Sequence, residues 1–210
     1  MRNSAACFFA VLVLAAAGWM VPMPGETAHT GCGAWRWGVK TLTDSGAGQV
    51  ALTPRQGQVD ALRALPAPAT LSGALGRTAA ERVTYTVRAR LMLVKEEADS
   101  DFHVVIADPR DGATLIAEIP DPGCAQGSRV RAQIAGARAA FIRRFGMPST
   151  THFARIPGSP LATVTGVLFF DEIHGQKGVA PKTTRRFTDA PNAPRGGAGH
   201  RAAASGSDMI

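Results

Sequence analysis

Six residues in this chain have side chains that could do chemistry: Asp101, His103, Asp108, Glu118, Asp171 and His174. Asp101 and His103 are two apart in a run that alternates like a strand, so they share one face. His174 follows a later apolar run, in the Gly-rich stretch Asp171–Pro181, and loops of that kind often carry function. Brought together, such a His/Asp/Glu set would hold a divalent metal or do general acid–base work. No tight motif accompanies them. There is no pair of His at helical spacing with a Glu, no Gly-x-Ser-x-Gly elbow and no phosphate loop. Acidic residues just after a strand also commonly serve as turn formers. Trp35 and Trp37 could form a stacking platform for bases or sugars, with Gln176 a further candidate ligand contact; the commoner role of such Trp residues is to plug a core. The sequence names no cofactor.

The elements that must position these residues begin with 82–122. Val83, Tyr85, Val87, Ala89, Leu91 and Leu93 fall on one face of a long run, and Thr84, Thr86, Arg88 and Arg90 on the other. That period of two marks a half-buried strand. A second strand is expected over Asp101–Asp108 and a third over Thr114–Ile119. Between them Asp108-Pro109-Arg110-Asp111-Gly112 reads as a tight turn. A helix is expected over Ser128–Phe145, with Val130, Ile134, Ala137, Phe141 and Phe145 on its apolar face. Ser128 is its expected N-cap and Gly146 its stop. Arg131, Arg138, Arg143 and Arg144 on the opposite face read as a solvated surface or a docking face for anionic ligands. A fourth strand follows over Leu161–Phe170. The order strand, strand, strand, helix, strand predicts a mainly β fold with one or two helices, a small OB-like antiparallel barrel. Before it, Trp35–Leu42 reads as a short strand or extended arm, and Thr53-Pro54 as the cap and first residue of a short helix over 54–65.

The chain has 210 residues and a net charge of +7, with its basic residues scattered rather than run together. Arg2 precedes an apolar run that ends near Val21, the form of a secretory signal. Residues 1–28 are therefore read as a signal peptide or N-terminal anchor. The remainder divides into an arm with a short helix (29–80), the OB-like domain (81–181) and a tail (182–210). The tail's Gly, Ala, Pro, Arg and Ser carry too little apolar surface to fold alone. Cys32 and Cys124 remain in the exported chain, free to form one disulfide in an oxidising compartment or to stay two separate thiols.

Five stretches, WGVKTLTD (37–44), ALRALPAP (61–68), KEEADSDFHVVIADP (95–109), TLIAEIPDPGC (114–124) and TGVLFFDEIHGQKGVAP (165–181), together resemble a family of small exported bacterial proteins without an established activity. Similar proteins continue with Gly-Val-Ala-Pro-Asn and then a Glu-Leu-His-Pro-Val strand. Here Lys182-Thr183-Thr184-Arg185-Arg186 follows instead. The resemblance therefore implies that the strand closing the barrel has been replaced, leaving the edge of the fourth strand unpaired.

Three functions follow as expectations. The first is a noncatalytic envelope module that binds a ligand, a nucleic acid or an oligosaccharide, in the periplasm or outside the cell. The second is a secreted, nuclease-like, metal-dependent hydrolase using Asp101, His103, Asp171 and His174. The third is a structural protein or a nonfunctional truncated copy. Contact with the inner membrane is expected only through an uncleaved N-terminus.

Overall fold

The computed structural model describes residues 5–11, 31–172 and 178. Its strands are β1 (Ala5–Val11), β2 (Ala51–Gln56), β3 (Val83–Glu96), β4 (Phe102–Ala107), β5 (Thr114–Ile119), β6 (Ala154–Arg155) and β7 (Leu161–Glu172). Its α-helices are α1 (Trp37–Thr41), α2 (Val59–Arg63) and α3 (Arg131–Phe145). The strands make one mixed seven-stranded sheet in the order β2–β3–β4–β5–β1–β7, with β6 and β7 also pairing to β3.

The long alternating run forms β3, and two partners share it. Thr84–Arg90 pair antiparallel with β7, and Arg90–Glu96 pair antiparallel with β4. A register shift between Leu91 and Leu93 separates Leu93 from the inward set. A bulge adds one residue and so reverses which side chains point inward. Val87, Ala89 and Leu91 are buried before it and Val94 after it, while Leu93 is only half-buried. Alternation alone placed Leu91 and Leu93 on one face, and the bulge corrects that.

β4 and β5 are buried along their whole length. On one face Phe102, Val104, Ile106, Leu115, Ala117 and Ile119 join the main core, which α2 and α3 cover. On the other lie Asp101, His103, Val105, Ile116 and Glu118. Gly178 is seated there: a Cβ on it would come within 2.9 Å of Val105 and 3.2 Å of Ile116. Its φ of +95° is also one that glycine adopts freely. A second core packs Leu42, Val50, Val130, Ile134 and Val167.

Five expectations change. The sheet is not purely antiparallel, because β1–β5 and β2–β3 run parallel, and three α-helices are described rather than one or two. Trp35–Leu42 is not extended: α1 is a helical turn bounded by Arg36 and Leu42, both in the left-handed region. Thr53-Pro54 does not start a helix but lies within β2. That strand is outermost in the sheet order, where a residue without an N–H is tolerated. The helix begins later, at Val59. Finally, the edge of β7 is not bare, because β1 pairs with its residues 166–172. The tail 182–210 lies outside the described residues, as does most of 1–28.

Candidate functional site

The face of β4 and β5 that carries Asp101 and Glu118 meets α1. Lys40, on that helical turn, reaches between the two carboxylates. Its Nζ donates to Asp101 Oδ2 at 2.7 Å and stands 2.6 Å from Glu118 Oε2, off the line of a hydrogen bond. Asp99 Oδ2 is 3.6 Å away. The rings of Trp37 and Phe169 lie 5.2 and 5.5 Å from the ammonium, in cation–π range. Burial draws the Lys40 ammonium toward its neutral form, but Glu118, Asp101 and Asp99 outweigh this and hold its pKa well above the ordinary lysine value. Burial pushes the Asp101 carboxyl up to about 7; Lys40 pulls it down, and Glu118 and Asp99 push it up. Asp101 Oδ1 has no hydrogen-bond partner among the described residues. The lysine ammonium thus neutralises carboxylates that would otherwise be buried without a counter-charge.

A second buried ion pair anchors the same arm. Arg36 meets Glu81 through two nitrogens, at 2.6 and 3.1 Å, and also donates to the carbonyl of Phe170 on β7. The backbone N–H groups of Phe170 and Thr78 donate to the two Glu81 oxygens. Burial alone would raise the Glu81 pKa, but these bonds outweigh it and lower it. Arg77 adds a bond to the carbonyl of Val39 and an ion pair to Asp44. Cys32 and Cys124 are joined in a disulfide with Cα atoms 5.5 Å apart, and Trp37 Nε1 donates to the carbonyl of Cys124.

The residues singled out by sequence are distributed over several places. Asp101 and Glu118 belong to the Lys40 cluster. His103 faces Glu118 in the β4–β5 register, lies edge-on to Phe153, and has Nδ1 3.8 Å from Glu97. Asp108 is a turn former: it accepts from the backbone and side chain of Arg110, whose bonds hold its pKa low. Asp171 sits opposite Ala6 in the β1–β7 ladder. His174 and Gln176 lie outside the described residues, so their position relative to His103 is not described. Trp35 is 39% exposed and rests on Gly73, whereas Trp37 is half-buried against the cluster. Among the described residues no three His, Cys, Asp or Glu converge as metal ligands.

The arginine face of α3 is also corrected. Arg143 and Arg144 are exposed, but Arg138 is buried. Its guanidinium stacks on Phe102 at 3.6 Å, pairs with Glu96 and donates to the carbonyls of Ser100 and Ile119. Ser128 sits two residues short of capping: Val130 precedes the helix, and Ser128 Oγ accepts its N–H.

Sequence reasoning did not show a cleft of about 290 Å³ between α3 and the core face of the sheet. Leu91, Ile106, Ile119, Phe141 and Val164 line it, with Arg144, Leu161 and Thr163 exposed at its edge. Four alanines face it: Ala117, Ala137, Ala140 and Ala162. Small side chains at inward positions leave volume that larger ones would fill, and those alanines were the only signal the sequence offered. Neither Asp101 nor Glu118 reaches this cleft. A second, more polar cleft of about 330 Å³ lies between Gln56–Gln58, Arg88 and Asp108–Arg110.

No family model, curated protein or solved structure matches the chain.

Proposed function

We propose that the protein is an exported, noncatalytic ligand-binding module with an OB-like arrangement of strands, and that its ligand is a small amphiphile held in the cleft under α3. The apolar lining of that cleft, with Arg144 at its edge, carries the reading. Ligand pockets are mostly apolar with a few placed polar groups. At about 30 Å³ each, the share of liquid volume one water takes, the space holds roughly ten non-hydrogen atoms. An apolar chain of that size would fill it, with an anionic end at Arg144. The sharing of β3 between β4 and β7 supports the OB-like arrangement.

The apolar run near the N-terminus supports export to the periplasm or beyond, and the Cys32–Cys124 bond fits an oxidising compartment. No helix among the described residues is long and apolar enough to cross a membrane. A nucleic acid or oligosaccharide would be gripped by several exposed rings, and Trp35 is the exposed aromatic ring of the described residues. The cleft therefore favours the amphiphile.

A fluorescent fatty-acid analogue titrated into the folded full-length chain tests this. Saturable binding is expected, abolished by Ala140→Phe and weakened by Arg144→Glu, with unchanged melting temperatures. Equal binding by the filled variant would overturn the assignment.

A further inference from the structure

We propose that the slot between β5 and β7 is a strand-acceptor site. Ala5–Val11 fill it in the intact chain, and an extended apolar peptide of about seven residues fills it once that segment is removed. The second half of this proposal rests on reading residues 1–28 as a segment lost on export.

β1 has an unusual place in the sheet. Every residue from Ala5 to Val11 pairs antiparallel with β7, over Glu172 back to Gly166. On its other side Phe8, Phe9 and Ala10 pair in parallel with Ile116, Ala117 and Glu118 of β5. β1 therefore separates two strands that do not otherwise pair in the sheet order. It is supplied from far along the chain, as a separate peptide would be.

The slot is built for such a guest. β5 is buried throughout. Val167, Leu168, Phe169 and Phe170 of β7 are each no more than 1% exposed. Without β1, two facing rows of backbone N–H and C=O groups would lose their partners within this apolar setting. Each buried group left unpaired costs about 1–3 kcal/mol. The same rows offer main-chain hydrogen bonds to any extended segment, the basis of recognition by strand addition. The apolar side chains on β5 and β7 select an apolar guest. The parallel register with β5 and antiparallel register with β7 fix its direction.

The test uses the full-length chain with residues 22–28 replaced by a specific protease sequence and cut after folding. The probe is a labelled synthetic peptide of residues 5–11 with terminal lysines for solubility. The cut fragment should co-elute with the remainder in gel filtration. The Phe170 amide donates to Glu81, so the alternating amides of Val167, Phe169 and Asp171 face β1; these should remain protected from hydrogen exchange until mild urea strips the fragment. The peptide should then bind saturably and restore protection. A Phe9→Pro peptide should bind about tenfold more weakly or worse, because proline cannot donate to the ladder.

Absence of protection at Val167, Phe169 and Asp171 in the uncut chain would overturn the proposal, as would equal binding of the two peptides. If the stripped protein loses its fold, recovery on adding the peptide supports the site, and failure to recover refutes it. Mass spectrometry of the exported protein is a separate arm: an intact N-terminus there would sink the export reading and leave the slot standing.

Discussion

Replacing Lys40 with Met should make the protein's stability strongly dependent on pH. Met keeps most of the apolar stem and removes the ammonium. In the native protein Lys40 faces two buried carboxylates, Asp101 at 2.7 Å and Glu118 at 2.6 Å, with side chains 1% and 8% exposed. Removing one partner of a buried ion pair costs about 3–5 kcal/mol, because the remaining charge is left uncompensated. Here the remaining groups can escape by taking up protons. Asp101 is already raised to about 7, and loss of Lys40 removes the attraction that opposes that rise. Each further unit of rise is worth about 1.4 kcal/mol, present above the new pKa and absent below the old one. The expected destabilisation is therefore about 1 kcal/mol at pH 5, where little beyond lost packing remains, and about 2 kcal/mol at pH 8, one unit above the Asp101 value, where at most one unit of the rise is expressed. Urea unfolding of both proteins at the two pH values measures this. An equal cost at pH 5 and pH 8 would refute the reasoning, since a buried charge cluster cannot lose its cation without coupling to protons.

Asp101→Asn should remove one source of pH dependence in the otherwise native chain. A carboxyl whose folded pKa lies above its unfolded value of 3.8 makes stability fall as pH rises from about 4 to about 7; the variant's unfolding midpoint should slope less across that window. Reducing the Cys32–Cys124 bond, which spans 92 residues, should lower stability by about 2–5 kcal/mol, read as the denaturation midpoint with and without reductant. An unchanged midpoint would mean that the bond does not restrain the unfolded chain. Gly178→Ala should lower the melting temperature, because the added methyl meets Val105 in a backbone conformation that alanine resists. A melting temperature at or above the parent value would show that Gly178 is not seated there.

β3, β4, β5 and β7 were legible because alternation and turn residues are local signals. Asp108–Gly112 and Gly146 punctuate the chain without help from distant partners. α1 and β2 were not legible, because each depends on something far away. Arg36 finds Glu81 and Phe170, while the outer position of β2 lets Pro54 join a strand. The candidate site divides the same way. Asp101 and Trp37 stood out by residue type, but Lys40 did not, since nothing in its neighbourhood announces carboxylates 61 and 78 residues on. Arg138 was misread for the same reason: a charge on the polar side of a helix signals solvent until Phe102 and Glu96 are known to lie over it. The cleft under α3 is an absence of side-chain volume, which no motif records.

The place of β1 also sets an order of events in time. Phe8 pairs with Phe169, about 160 residues later, so the ladder cannot form until nearly all of the structured chain has been synthesised. At about 5–20 residues per second, the apolar N-terminal run spends roughly 8–30 s without its sheet partners. During that interval it is accessible to anything that recognises an emerging apolar segment, and afterwards it is a strand inside a sheet. On the export reading proposed above, capture by an export apparatus and pairing in the sheet would be competing fates of one segment. The length of chain between the two halves of a single ladder decides how long the first has the field to itself.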